Sequence, residues 1–194
     1  SPDGTDGFPG NMDLEIQYKL VKSGLMIHYT ATTDAPTVCS LTNHSYFNLN
    51  GHDSGTALGH RISVDADAYL ETDDGSIPTG RRIPVAGTPM DFTEEKTLGL
   101  DIEADYPALK QGSGYDHCYI IRDTGLRHAA WVTGPLTGIR MEVLTTLPGM
   151  QLYSANHLAP VTACKDGAHY QKRDAVCLET EEFPDAPNHP DFPD

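Results

Sequence analysis

Four short segments carry more hydrogen-bonding side chains than a structural strand needs. Leu41–Gly51, LTNHSYFNLNG, interleaves Leu41, Tyr46, Phe47 and Leu49 with Asn43, His44, Ser45 and Asn48, and closes on an Asn-Gly turn signal. A strand that only fills a core alternates Val, Ile and Leu. This segment is therefore either a polar edge with its hydrogen bonds satisfied or the floor of a binding site. Gly114–His117, GYDH, sets Asp116 beside an imidazole at the entry to a strand, where the carboxylate either caps a turn or faces a ligand. In Leu147–Tyr153, LPGMQLY, a turn delivers Gln151 and Tyr153 two apart, hence onto one strand face, which meets either solvent or a ligand. In Cys177–Asp185, CLETEEFPD, alternation directs Glu179 to the same side as Cys177 after an apolar run. A carboxylate at a partly buried strand end suits general-base work, because desolvation raises its pKa toward the working range.

Other chemistry is poorly served. The nine histidines form neither HxH nor HExxH, and Cys39, Cys118, Cys164 and Cys177 are scattered without a CxxC, so no metal site is expected. GxGxxG, GxxxxGK[ST] and GxSxG are all missing, which argues against nucleotide binding through the usual loops and against an α/β-hydrolase. With 13 basic against 28 acidic residues the formal charge is −15, a poor match for a nucleic-acid backbone. No run approaches the roughly 20 apolar residues of a membrane span, and the start lacks the basic-then-apolar pattern of a signal peptide. Widely spaced cysteines read as reduced thiols, mostly buried, in a cytoplasmic protein.

The elements that must position these groups read as strands. Glycine (18) and proline (14) recur at short intervals, punctuating the chain before a long helix can form. Leu14, Ile16, Tyr18 and Leu20 alternate with polar residues, as do Leu25, Ile27 and Tyr29, with Ser23-Gly24 as the turn of a hairpin. Further strands are expected over Val38–Thr42, Arg61–Ala66, His117–Arg122, His128–Thr133, Ile139–Thr146, Gln151–Ala155 and Ala175–Thr180. Asp73–Gly75, Ile77–Gly80, Asp123–Gly125 and Leu147–Gly149 read as turns, Glu94–Tyr106 as the one hint of helix, and Trp131 as core. Phe183–Asp194, with four prolines, should run as an extended surface loop. Many short strands at this spacing predict an all-β antiparallel sandwich, with 194 residues forming one domain.

Taken together, the four segments resemble the aldose 1-epimerase (galactose mutarotase) family. LTNHSYFNLNG is similar to that family's signature around its catalytic histidine, and GYDH to its sugar-binding aspartate motif. TTLPGMQLYSANHL resembles the segment with a sugar-contacting glutamine, and CLETEEFPDAPNHPDFP the segment around the catalytic glutamate. SPDGTDGFPGN at the start matches a family loop. The resemblance implies the galactose mutarotase type of antiparallel β-supersandwich, with the likeness expected over the central and C-terminal part of the chain. It implies His44 as general acid and Glu179 as general base, with Ser45, Tyr46, Asp116 and Gln151 as substrate-binding residues. It also implies a monosaccharide substrate, a free hexose such as galactose or glucose, whose anomers interconvert by ring opening without metal or cofactor.

Two departures accompany the resemblance. Glu181 stands where the family commonly has Gln, and its added charge is either harmless or raises the pKa of Glu179 by like-charge repulsion. The family's N-terminal strands, with an Arg and a His of the sugar site, and its last C-terminal strand find no match. The chain is thus expected to be an incomplete sandwich, a fragment or part of a split enzyme, whose sheet a complementary chain or dimer partner completes. Alternatives are a hexose-6-phosphate 1-epimerase, for which Arg81-Arg82 is the available basic pair, and a non-catalytic carbohydrate-binding fragment.

Overall fold

The computed structural model describes residues 1–193 and is almost entirely antiparallel β-structure. It resolves into two compact units, Ser1–Leu41 and Thr42–Asp194.

In the first unit, β1 (Met12–Val21) and β2 (Gly24–Thr33) form the expected hairpin. Val21 pairs with Gly24, so the connecting residues are Lys22 and Ser23, one position earlier than the sequence suggested. The register sets Leu14 opposite Ala31, Ile16 opposite Tyr29, Tyr18 opposite Ile27 and Leu20 opposite Leu25. Because side chains alternate, all eight stand on one face. That face is largely open to solvent, with Leu20 84% and Tyr18 59% exposed.

The second unit holds two sheets. One is a five-stranded sheet in the order β11 (Cys177–Glu181), β10 (Gly149–Tyr153), β7 (Asp116–Ile121), β4 (Ala66–Thr72), β5 (Pro78–Pro84). The other has four strands in the order β6 (Lys96–Thr97), β3 (Arg61–Val64), β8 (Arg127–Thr133), β9 (Arg140–Thr145). One apolar cluster joins them: Ile62, Val64, Ala130 and Val132 from the second sheet with Tyr69, Tyr119, Met150, Leu152 and Leu178 from the first. This is a sandwich core, and the period of two leaves the alternate residues of β7, β10 and β11 on the outer face of the five-stranded sheet.

Several expectations are corrected. Leu41–Gly51 and Val38–Thr42 are not strands. Phe47 alone pairs, exchanging 2.9 Å backbone hydrogen bonds with Val176. The asparagine side chains substitute for a ladder: Asn48 Nδ2 donates to the carbonyls of Gly55 (2.7 Å) and Asp174 (3.0 Å), and Asn50 Oδ1 accepts from the Leu136 N–H (2.9 Å). Glu94–Tyr106 contains no helix; the short α1 follows it at Pro107–Gly112, with proline in its first turn. Ile77–Gly80, read as a turn, instead opens β5, an edge strand where the missing N–H of Pro78 is tolerated. The turn falls just before it, where Asp73 Oδ1 accepts from the N–H groups of Gly75 and Ile77. Trp131 is half-buried, and the Arg140 guanidinium lies 4.2 Å above its ring. All four cysteines are free, but only Cys118 and Cys177 are buried. The Pro-rich end does run as a loop, yet it seats Phe183 and Phe192 edge-to-face (5.1 Å) against Leu70 and Cys118.

Candidate active site

The register across three strands decides what meets on the outer face. Gln151 of β10 lies between Glu179 of β11 and Cys118 of β7, and Tyr153 lies between Cys177 and Asp116. His44 comes from the loop that Phe47 ties to Val176, three residues before β11 reaches Glu179. His44 and all of these strand side chains but Cys177 line a cavity of about 380 Å³, together with Tyr46, His157, Glu181 and residues of β4 and β5.

His44 Nε2 lies 3.5 Å from Glu179 Oε1, and the two side chains differ sharply in exposure, 50% against 9%. Tyr46 stacks on the His44 ring with centroids 5.1 Å apart, and Tyr153 meets both rings edge-on. Asp116 Oδ1 accepts a 2.7 Å hydrogen bond from Gln151 Nε2, which fixes both on the cavity floor. Asp116 is anchored from behind as well. Asn156 Nδ2 donates to the carbonyls of Tyr115 (2.8 Å) and Gly112 (3.0 Å), and Ser154 Oγ donates to Asn156 Oδ1 (2.7 Å). This buried amide network holds the entry to β7 against the exit from β10.

Burial raises the pKa of Glu179 above the ordinary carboxylate range; Asp116 adds to the rise and His44 opposes it. Asp116 is also raised by burial, with the Gln151 hydrogen bond and the imidazoles of His157 and His44 acting the other way. Glu181 is pushed up to about 7, first by burial and then by the charge of Glu179. The repulsion between these two acids thus raises Glu181, and Glu181 is not among the causes of the rise at Glu179.

Of the residues singled out in the sequence, His44, Tyr46, Asp116, Gln151 and Glu179 line one cavity. Ser45 does not line it; its N–H donates to Asn43 Oδ1 within the loop (3.3 Å). The basic pair considered for a phosphate is engaged elsewhere: Arg81 pairs with Glu71 at 2.8 Å and Arg82 donates to the Asp191 carbonyl. His157 was missed as a cavity residue, although it lies within the ANHL end of a segment already singled out. The contributions of Thr72 of β4, Pro78 of β5 and Ser76 in the turn between them had no signal, because this stretch read as turns rather than as an edge hairpin. Among the described residues, one group gathers possible metal-ligating atoms: His44, Cys177 and Glu179, all within 4.8 Å of one another.

A family model described as aldose 1-epimerase matches residues 1–194. The chain belongs to the aldose 1-epimerase family. The match takes in the N-terminal hairpin as well as the central and C-terminal segments that carried the resemblance. Galactose mutarotase from Homo sapiens is 39% identical over 194 residues, covering 100% of this chain and 55% of the human protein. Aldose 1-epimerase from Escherichia coli (strain K12) is 38% identical over 196 residues, covering 100% and 56%. Among solved structures, the aldose epimerase homologue from C. elegans superimposes with a TM-score of 0.84 at 30% identity, over 100% of this chain and 57% of that one. The all-β antiparallel fold is therefore of the galactose mutarotase type, and the chain spans about half the length of the curated relatives it matches.

Proposed function

We propose that this chain carries the proton-transfer centre of an aldose 1-epimerase acting on free hexoses such as galactose and glucose. The observation that supports this most directly is the His44–Glu179 contact of 3.5 Å, set above a floor where Asp116 and Gln151 are already hydrogen-bonded. Glu179 takes the proton from the anomeric hydroxyl while His44 gives one to the ring oxygen. The C1–O5 bond breaks, the carbonyl end rotates, and the ring recloses from the other face with the two transfers reversed. The raised pKa of Glu179 strengthens it as a base, because it needs less driving force to accept a proton near neutral pH. Asp116 and Gln151 offer directional acceptors and donors to sugar hydroxyls, and Tyr46 and Tyr153 present apolar faces to the C–H surfaces between them. A sugar ring enters by displacing His44 from Glu179, which the loop position of His44 allows and the strand position of Glu179 does not.

The same reading covers compartment and partners. Four unpaired cysteines suit a reducing cytoplasm. Among the described residues no helix is long and apolar enough to cross a membrane. The exposed apolar face of the hairpin is the surface that a complementary chain or a second copy would cover.

Polarimetry on freshly dissolved α-galactose tests the proposal. The chain, with any partner it purifies with, should accelerate mutarotation, and His44→Ala or Glu179→Ala should each cut the rate by about 10²–10⁴-fold. Activity that survives both substitutions would remove these two residues from the mechanism. Galactose binding by calorimetry without anomer exchange by NMR would leave the chain a sugar-binding role only.

A further inference from the structure

We propose that His44, Cys177 and Glu179 form a binding site for a thiophilic divalent cation, with Zn²⁺ the best match. An imidazole nitrogen, a thiol sulfur and a carboxylate oxygen converge from two segments more than a hundred residues apart, and all three ligating atoms lie within 4.8 Å of one another. A point equidistant from three atoms so placed is less than ~3 Å from each. Zinc bonds run at about 2.0–2.1 Å to nitrogen, 2.3 Å to sulfur and 2.0–2.2 Å to oxygen, so the triangle needs to contract by less than ~1 Å a side chain.

The parts are suited to that contraction. Cys177 and Glu179 sit two apart on the same face of β11 and are held by its pairing with β10. His44 is half exposed on a loop and can close on them. Among the described residues, the ligating atoms of all three hold no hydrogen bond, the 3.5 Å His44–Glu179 approach being their one polar contact. His44 and Glu179 line the cavity while Cys177 lies behind them, which leaves room on the cavity side for water as a fourth ligand. A mixed nitrogen, sulfur and oxygen set selects zinc or cobalt over magnesium and calcium, which take oxygen.

Binding needs no redox partner. Burial and the neighbouring Glu179 keep the Cys177 thiol protonated. As the metal–sulfur bond forms, the S–H bond breaks and the proton leaves to solvent. The ion would occupy the lone pairs of His44 and Glu179, so a chain holding it has neither free for proton transfer. The site rests on ligand geometry and does not depend on the sugar chemistry proposed above.

Co²⁺ titration of the metal-stripped full chain provides the test, read as near-ultraviolet thiolate-to-cobalt charge-transfer absorption and checked by Zn²⁺ displacement. The wild-type chain should develop the band at one Co²⁺ per chain. Cys177→Ser should lose it and bind Zn²⁺ at least tenfold more weakly by calorimetry. His44→Ala, at an exposed loop position, should weaken Co²⁺ binding to a similar degree with circular dichroism unchanged. No band in the wild type, or a band of undiminished strength in either variant, would overturn the proposal.

Discussion

Gln151 touches both halves of the candidate site, lying beside Glu179 in the sheet and donating 2.7 Å to Asp116. Gln151→Ala removes that donor and leaves a half-buried carboxylate short of a partner, at a cost of about 1–3 kcal/mol. Galactose affinity measured by calorimetry should fall by about tenfold or more, with the melting temperature lowered by several degrees. His117, one residue beyond Asp116, faces the other way into the core, and burial lowers its pKa to about 4. Its folded-state value lies below the ordinary value of 6.5, so between those limits the unfolded chain binds the extra proton. Its contribution to stability is complete above pH ~6.5 and declines as pH falls toward 4, by roughly 3 kcal/mol in all. Urea unfolding at several pH values should show a steeper acid loss in the wild type than in His117→Gln, the difference confined to that window. At this scale the sequence exposes His44, Asp116, Gln151 and Glu179, because each is a polar residue where an apolar strand has no use for one. Cys177 and His157 stay hidden, since a buried cysteine and a loop histidine are ordinary until three-dimensional neighbours are known.

The strands that build the site were legible where alternation was clean. Expected segments over His117–Arg122, Gln151–Ala155 and Ala175–Thr180 appear as β7, β10 and β11 with ends shifted by one or two residues. The strand expected over Val38–Thr42, leading into the polar loop of His44, does not form, because the loop's asparagine amides satisfy backbone groups as well as a neighbouring strand does. β4 and β5 were only partly visible, since proline and charged residues suit an edge strand as well as they suit a turn. Gly149 shows what the sheet demands of one position. It stands opposite Glu181 at the start of β10, and a methyl group there would sit 2.7 Å from Cys118 Sγ and 3.1 Å from the Phe183 ring. Gly149→Ala should therefore destabilise the fold by about 1–3 kcal/mol through overpacking. Guanidinium unfolding measures that loss, and a neutral result would mean the Phe183 loop yields.

For the molecule as a whole, the hairpin alternation predicted a strand pair but not what covers its apolar side, because pattern specifies a face and not its partner. Eight apolar residues share that face, and Leu14, Ile16, Tyr18, Leu20 and Leu25 among them are between 46% and 84% exposed. The isolated chain should self-associate at micromolar concentrations in sedimentation velocity runs. Ile16→Lys with Tyr18→Lys should shift it toward monomer without changing its far-ultraviolet spectrum, and association unchanged by that pair would move the contact elsewhere.

The single Phe47–Val176 bridge has a mechanical meaning. His44 lies three residues before Phe47 and Glu179 three residues after Val176, so the two groups are the tips of equal arms that share one pivot. One arm is a rigid strand and the other a pliable loop. Separation at the tips comes from a few loop dihedrals on the histidine arm, with the sheet as the fixed reference. The distance between the tips is thus set by a backbone contact that belongs to neither group.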